Sequence, residues 1–115
     1  CQAHIDYNGM MRFSYMWEDG IHLDTNTPKK IENINLHSPG LKILNIHPIL
    51  IYLNAPNDDY RRKVTSQYID LTSAPKEEID KYINRTEYGI RDFYIDILKY
   101  LKKGNVNSYM LKELI

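Results

Sequence analysis

The sequence predicts an α/β fold: few parallel strands followed by amphipathic helices. Three observations carry that class. Strand-like apolar runs lie in the first half, at Met10 to Trp17 and Leu41 to Ile46. The second half repeats its apolar residues with helical spacing. Polar, Pro- and Asn-rich segments separate the runs, as turns require. A length of 115 residues fits one domain or part of a larger one.

The elements follow in order. Met10 to Trp17 is rich in aromatic and apolar residues and is bounded by Asn8-Gly9 and Asp19-Gly20, both turn signals. Asp24 to Gly40 is a polar connection, and Ser38-Pro39-Gly40 turns the chain into the strand that ends at His47. After Pro48 comes a second apolar run of strand length, Ile49 to Leu53. Asn57-Asp58-Asp59 reads as an N-cap with an acidic first turn, ahead of Tyr60, Val64, Tyr68 and Leu71. Ser73 and Pro75 open a short helix in which Ile79 and Ile83 share a face. The clearest helix runs from about Tyr88 to Lys103, with Ile90, Phe93, Tyr94, Ile97, Leu98 and Leu101 on its apolar stripe and Gly104-Asn105 as its stop. Asn107-Ser108 caps a last short helix carrying Met110, Leu111 and Leu114. The helical faces call for more sheet than two or three strands provide, and the chain opens on Cys1 without Met. Both point to a domain that continues N-terminally.

Composition narrows the function classes. The apolar share is 43%, the charged share 26% and the formal net charge zero, so nothing argues for nucleic acid or an anionic membrane surface as partner. No apolar run has the length of a membrane span and no signal peptide is visible, which sets a cytoplasmic expectation. A lone cysteine forms no internal disulfide. Ten tyrosines suit core edges, carbohydrate-facing clefts or interfaces, although an AT-rich genome would enrich Tyr, Asn, Ile and Lys equally.

Two clusters carry chemistry. The first is Arg12 to His22, in which a strand emerges into Trp17-Glu18-Asp19-Gly20 and sets two carboxylates beside an aromatic ring. Sugar C–H faces stack on such rings while hydroxyls bind carboxylates, so Trp17 and Tyr15 are candidate substrate contacts. An acidic turn beside a core tryptophan explains the same residues. The second cluster is Leu44-Asn45-Ile46-His47-Pro48, with Tyr52 and Asn54 beyond. An imidazole at the C-terminal end of a parallel strand is placed for acid–base work near neutral pH. The alternative is a structural histidine satisfied by a backbone carbonyl. His4 and Asp6 are weak metal candidates, and His22 and His37 are expected in solvent-facing loops.

Taken together, Trp17-Glu18-Asp19, the polar loop, and Ser38-Pro39-Gly40-Leu41-Lys42-Ile43-Leu44-Asn45-Ile46-His47-Pro48 resemble the C-terminal half of the polysaccharide deacetylase superfamily (the NodB-homology group, similar to carbohydrate esterase family 4). The branch it most resembles serves bacterial surface-polysaccharide biosynthesis, and the resemblance runs over roughly residues 6 to 103. It implies the C-terminal part of a distorted (β/α) barrel, with residues 1–115 a partial domain whose N-terminal metal-binding half lies elsewhere. It implies N-deacetylation of a carbohydrate by a divalent metal, zinc or similar, whose ligands are not in this chain. By the same resemblance His47 protonates the departing amine, and Glu18 or Asp19 is the acidic group that orients it. Leu44 lines the acetyl pocket and Arg12 holds the catalytic aspartate. Asn54 joins Trp17, Leu44 and Tyr15 among the candidate substrate contacts.

The family's Thr-Phe-Asp-Asp and His-(Ser/Thr)-X-X-His motifs are absent from this sequence, so the chain alone is expected to be inactive. Two other readings stay open: a catalytically inactive carbohydrate-binding homologue, and a small α/β interaction protein whose tyrosines face a partner.

Overall fold

The chain opens with a β-hairpin. The computed structural model describes residues 3–68 and 70–113; Cys1, and Leu114 of the expected last helix, lie outside the described residues. Strands β1 (Ala3–Ile5) and β2 (Met11–Phe13) pair antiparallel with His4 opposite Arg12. Asn8-Gly9 makes the turn, with Gly9 at φ 77. Only Phe13 among the six strand residues is even half-buried, so the hairpin stands away from the core.

Beyond it, β3 (Trp17–Glu18) and β4 (Leu44–Asn45) form a parallel pair in the register Trp17 to Leu44 and Glu18 to Asn45. Met16 N–H donating to Ile43 O at 2.8 Å extends the contact by one bond. The connection between them carries helix α1 (Asp19–Asp24) and a 3-10 turn at Ile31–Ile34, whose Ile34 is buried. The expected polar loop therefore also contributes to the core.

The apolar run after Pro48 is a helix, α2 (Pro48–Leu53), where a strand-sized segment was expected. Pro48 explains the outcome. Its fixed φ suits a first helical turn, and its missing N–H is one that a helix start leaves unpaired anyway. Helix α3 (Asp58–Thr65) starts as the sequence foretells, Asn57 accepting the Tyr60 N–H at 2.8 Å. It stops at Thr65, so Tyr68 and Leu71 reach the same apolar cluster from the following turns. Helix α4 (Lys76–Asp80) is short. Helix α5 (Ile90–Lys103) is the long one, and beyond it Asn105 adopts the left-handed conformation at φ 50. The last expected helix is a 3-10 turn at Leu111–Glu113.

Packing follows from α5. Ile90 joins Leu23, Leu50 and Ala55, while Phe93 and Ile97 join Ile34, with Trp17 and Leu44 against them. Leu53, Val64 and Ile79 form a third cluster under α3 and α4. Gly89, just ahead of α5, is there for close approach. A Cβ on it would meet Asn54 O at 2.1 Å, so only glycine lets α5 dock on the end of α2. The result is a mixed α/β structure with small sheets and several helices. Its Cα radius of gyration is 16.3 Å, larger than the roughly 13 Å of a compact chain this long.

Candidate active site

Parallel pairing decides where the chemistry sits. Because β3 and β4 run side by side, their C-terminal ends open at the same edge. The residue after β3 is Asp19, and two residues after β4 comes His47. Asp19 turns into the interior and is completely buried. Its Oδ2 accepts the His47 backbone N–H at 2.8 Å, and its Oδ1 lies 2.6 Å from His47 Nδ1 and accepts the Gly20 N–H at 2.8 Å. Three donors thus meet the two oxygens, which is what a buried carboxylate needs.

His47 is bound at one edge and free at the other. Its side chain is 46% exposed. A carboxylate accepts only, so Nδ1 is the donor to Asp19 and Nε2 is left as the atom that exchanges protons. That edge faces a cleft of about 400 Å³, lined by Glu18, Gly20, Ile21 and Asp24 of the first strand–helix corner. Ile49, Leu50 and Leu53 from α2, and Arg61, Arg62 and Thr65 from α3, complete the lining.

The charges around the cleft are largely paired. Asp58 binds both Arg61 and Arg62, and Arg62 reaches Asp24 on α1 at 3.2 Å. Burial works to raise the Asp58 carboxyl, but the two guanidinium groups outweigh it and hold the group below its ordinary value. Tyr15 is exposed, and its hydrogen bond to Glu18 pushes its phenol up.

The structure brings together some of the expected residues and separates others. His47, Glu18 and Asp19 converge, with Asp19 behind the ring and Glu18 in the cleft wall. Tyr15 stands at the exposed approach to Glu18. Arg12 is on the hairpin, ion-paired with Asp6 at 2.6 Å, and does not line the cleft. Trp17 is half-buried against the core; its ring meets Phe93 edge-on at 5.8 Å and its Nε1 donates to His22 Nδ1 at 3.1 Å. Leu44 packs in the same cluster, away from the cleft. Asn54 is buried at the other end of α2, left-handed at φ 52, and accepts the Arg91 N–H while donating to Asp92. It joins α2 to α5. Trp17, Leu44 and Asn54 thus hold the site's frame where substrate contact was expected.

His22 departs from expectation. It lies on α1, 95% removed from solvent, stacked on Phe93 at 5.3 Å, with Nε2 lacking a protein partner. Burial first, and the Lys29 charge second, lower its pKa. His37 is exposed, as expected. Gly20, Arg61 and Arg62 are cleft residues the sequence reading missed. The Asp58 to Arg62 spacing of one helical turn signalled the ion pair, but nothing local signalled that it would face His47.

A metal does not fit the residues present. Among the described residues no three His, Cys, Asp or Glu side chains form a group that could hold an ion. His4 lies on the exposed strand β1, and Asp6, just beyond its end, is taken by Arg12. Also among the described residues, no helix is long and apolar enough to cross a membrane.

A mixed α/β chain with a buried aspartate behind a strand-end histidine is the class these features define. The family model for WbmS-like polysaccharide deacetylases matches residues 1–64, over half of the chain, and the chain belongs to that family. The matched stretch contains both Asp19 and His47. Among solved structures, a candidate polysaccharide deacetylase involved in O-antigen biosynthesis from Bordetella bronchiseptica superposes with a TM-score of 0.60 at 20% identity. The match covers 86% of this chain and 39% of that one, so this chain spans about two fifths of the length of the protein it matches. At that identity the likeness is one of fold. No curated protein matches the sequence.

Proposed function

We propose that this chain carries the proton-donating corner of a metal-dependent carbohydrate N-deacetylase acting on bacterial polysaccharide or its precursors. One observation supports it above the others: His47 Nδ1 sits 2.6 Å from a fully buried Asp19 while the opposite ring edge faces an open cleft. Asp19 fixes the ring's orientation and stabilises the imidazolium. In amide hydrolysis the C–N bond breaks with its electron pair passing to nitrogen. The Nε2 proton of His47 then goes to that nitrogen, giving a free amine. Water gives its hydroxyl to the acyl carbon and its proton to a base outside this chain, and the acyl group leaves as the carboxylic acid. His47 ends neutral and regains its proton from solvent through the exposed edge.

Activation of the water falls to groups outside this chain. In the proposal, residues 1–115 are part of a larger domain whose other half holds the divalent metal that deacetylases of this superfamily use. Among the described residues of this chain no group of side chains forms that metal's site. The location follows from the same proposal: precursors of surface polysaccharide place the enzyme in the cytoplasm. The test is turnover of N-acetylated amino sugars by the complete protein. The wild type is expected to release acetate and His47→Ala to lose at least 100-fold with unchanged metal content. Near-normal turnover in the variant would remove His47 from the reaction.

A further inference from the structure

Trp17 and His22 bridge the corner that carries Asp19. Trp17 lies in β3, His22 is the fourth residue of α1, and Glu18, Asp19, Gly20 and Ile21 turn the chain between them. The Trp17 Nε1–H donates to His22 Nδ1 at 3.1 Å. An indole nitrogen only donates, so Nδ1 accepts and the His22 proton sits on Nε2. That proton has no acceptor among the described residues, and His22 is only 5% exposed. Phe93 of α5 stacks on the imidazole at 5.3 Å and meets the indole edge-on at 5.8 Å, so the bonded pair is wedged against the long helix. The surroundings do not favour a charge there. Lys29, in the loop after α1, is the charged group that acts on the ring, and it is a cation. Glu87 acts on Lys29 instead. The Asp19 carboxylate, on His22's own helix, is committed to His47 and Gly20. β3 and α5 meet the ring with the uncharged Trp17 and Phe93.

We infer that the Trp17–His22 bond is a clasp on the Asp19 corner, shut while His22 is neutral and released when His22 takes a second proton. A proton on Nδ1 sets two donors against each other across the 3.1 Å contact. It also leaves a buried imidazolium with no acceptor on either nitrogen. The ring is driven from its stack, and Asp19 moves with it. The two residues are three apart on a helix of six, so both enter the interior from one face. Swinging that face outward withdraws the carboxylate that holds both the ring and the main chain of His47. His22 touches no reacting atom. It is a positioning residue that makes the alignment of His47 reversible by acid. The clasp belongs to the corner itself and stands whether or not the complete protein is a deacetylase.

The experiment uses the complete protein with nitrogen-15 in its tryptophans and histidines, read by NMR from about pH 8 to about pH 5. The Trp17 indole resonance is assigned by its loss in Trp17→Phe, and the His47 Nδ1–H resonance by its loss in His47→Ala. In the wild type the indole proton is expected to shift upfield in one reversible step with a midpoint below the ordinary 6.5 of histidine. The His47 Nδ1–H signal is expected to vanish over the same step, while far-ultraviolet circular dichroism keeps its native amplitude. Two variants separate the bond from the bulk of the ring. His22→Gln keeps an acceptor for Trp17 at every pH, so the step is expected to disappear and the His47 signal to persist at the acid end. His22→Phe keeps the stack on Phe93 without an acceptor, so the indole proton is expected upfield throughout. An indole resonance without a step, a step that survives in His22→Gln, or a His47 signal indifferent to the step overturns the inference. So does a step that coincides with loss of the circular dichroism, since the whole fold rather than the corner then responds. A complete protein that hydrolyses no amide would sink the deacetylase reading instead, and the resonances would still decide the clasp.

Discussion

Asp19 Oδ1 lies 2.6 Å from His47 Nδ1, and the other oxygen of the same carboxylate holds the His47 backbone N–H at 2.8 Å. Side chain and main chain of the histidine are thus anchored by one buried group. The ring cannot turn without breaking a charge-assisted bond, so its free nitrogen has a fixed direction. Asp19→Asn tests this. The amide keeps the size but offers one acceptor oxygen in place of two, so His47 loses an anchor or its ring flips. In the complete protein kcat is expected to fall about 100- to 10,000-fold with KM little changed. A variant with wild-type kcat would reduce Asp19 to a structural role.

Trp17 is predicted to matter for stability more than for binding. Its ring packs on Phe93 and His22 in the cluster under α5. Trp17→Ala should cost about 3 to 5 kcal/mol, read as a fall in the urea midpoint. Trp17→Phe, which keeps much of the apolar bulk, should cost less. The Michaelis constant of the complete protein should stay within about twofold. A large rise in KM with little loss of stability would return the ring to the substrate side.

Asn54 and Gly89 act as one joint. Asn54 Oδ1 accepts the Arg91 N–H at 3.0 Å and Asn54 Nδ2 donates to Asp92 at 2.9 Å, closing α2 onto the start of α5. Hydrogen bonds from the Gly89 backbone and the Asn54 amide hold the Asp92 carboxyl below its ordinary value. Asn54→Ala leaves buried donors unpaired and loses the tolerated left-handed turn, at about 1 to 3 kcal/mol. Gly89→Ala forces backbone apart and should be worse. Both are read by chemical denaturation, and an unchanged midpoint in Gly89→Ala would contradict the contact.

His22 makes stability depend on pH. Burial, with Lys29 second, places its folded pKa below the ordinary 6.5. The unfolded chain therefore binds a proton more readily than the folded one. Stability should be full above about pH 6.5 and decline as the pH falls from there toward the folded pKa. Carboxylates held low, such as Asp92, act in a separate window nearer their ordinary 3.8. His22→Phe should flatten the fall in melting temperature between pH 7 and pH 5. An equal slope in the variant would mean that His22 is not the responsible group.

The residues that were legible in the sequence were those whose signal is local. Asn57 caps α3 as read, the apolar stripe from Ile90 to Leu101 is α5, and a parallel strand does end before His47. The Ile49 to Leu53 run was not legible as helix from its length, because five apolar residues suit either state and Pro48 tips the balance. The site was half visible. Pairing of Asp19, rather than Glu18, with His47 depends on which residue follows the last strand position, and one residue of register decides it. Trp17, Leu44 and Asn54 carry residue types that suit substrate contact, yet tertiary packing claims them for the frame. Arg12 is drawn off by Asp6 within the hairpin. His22 becomes a core residue because α1 starts immediately after β3 and turns its face onto Phe93.

Leaving-group dependence of His47→Ala in the complete protein tests the proton-donor role most directly. An amide nitrogen must be protonated to depart, whereas an aryl ester leaves without help. The account predicts that His47→Ala loses at least 100-fold on the N-acetylated sugar and less than about tenfold on an aryl acetate bound at the same site. Equal losses on both substrates, or none on the amide, would contradict it.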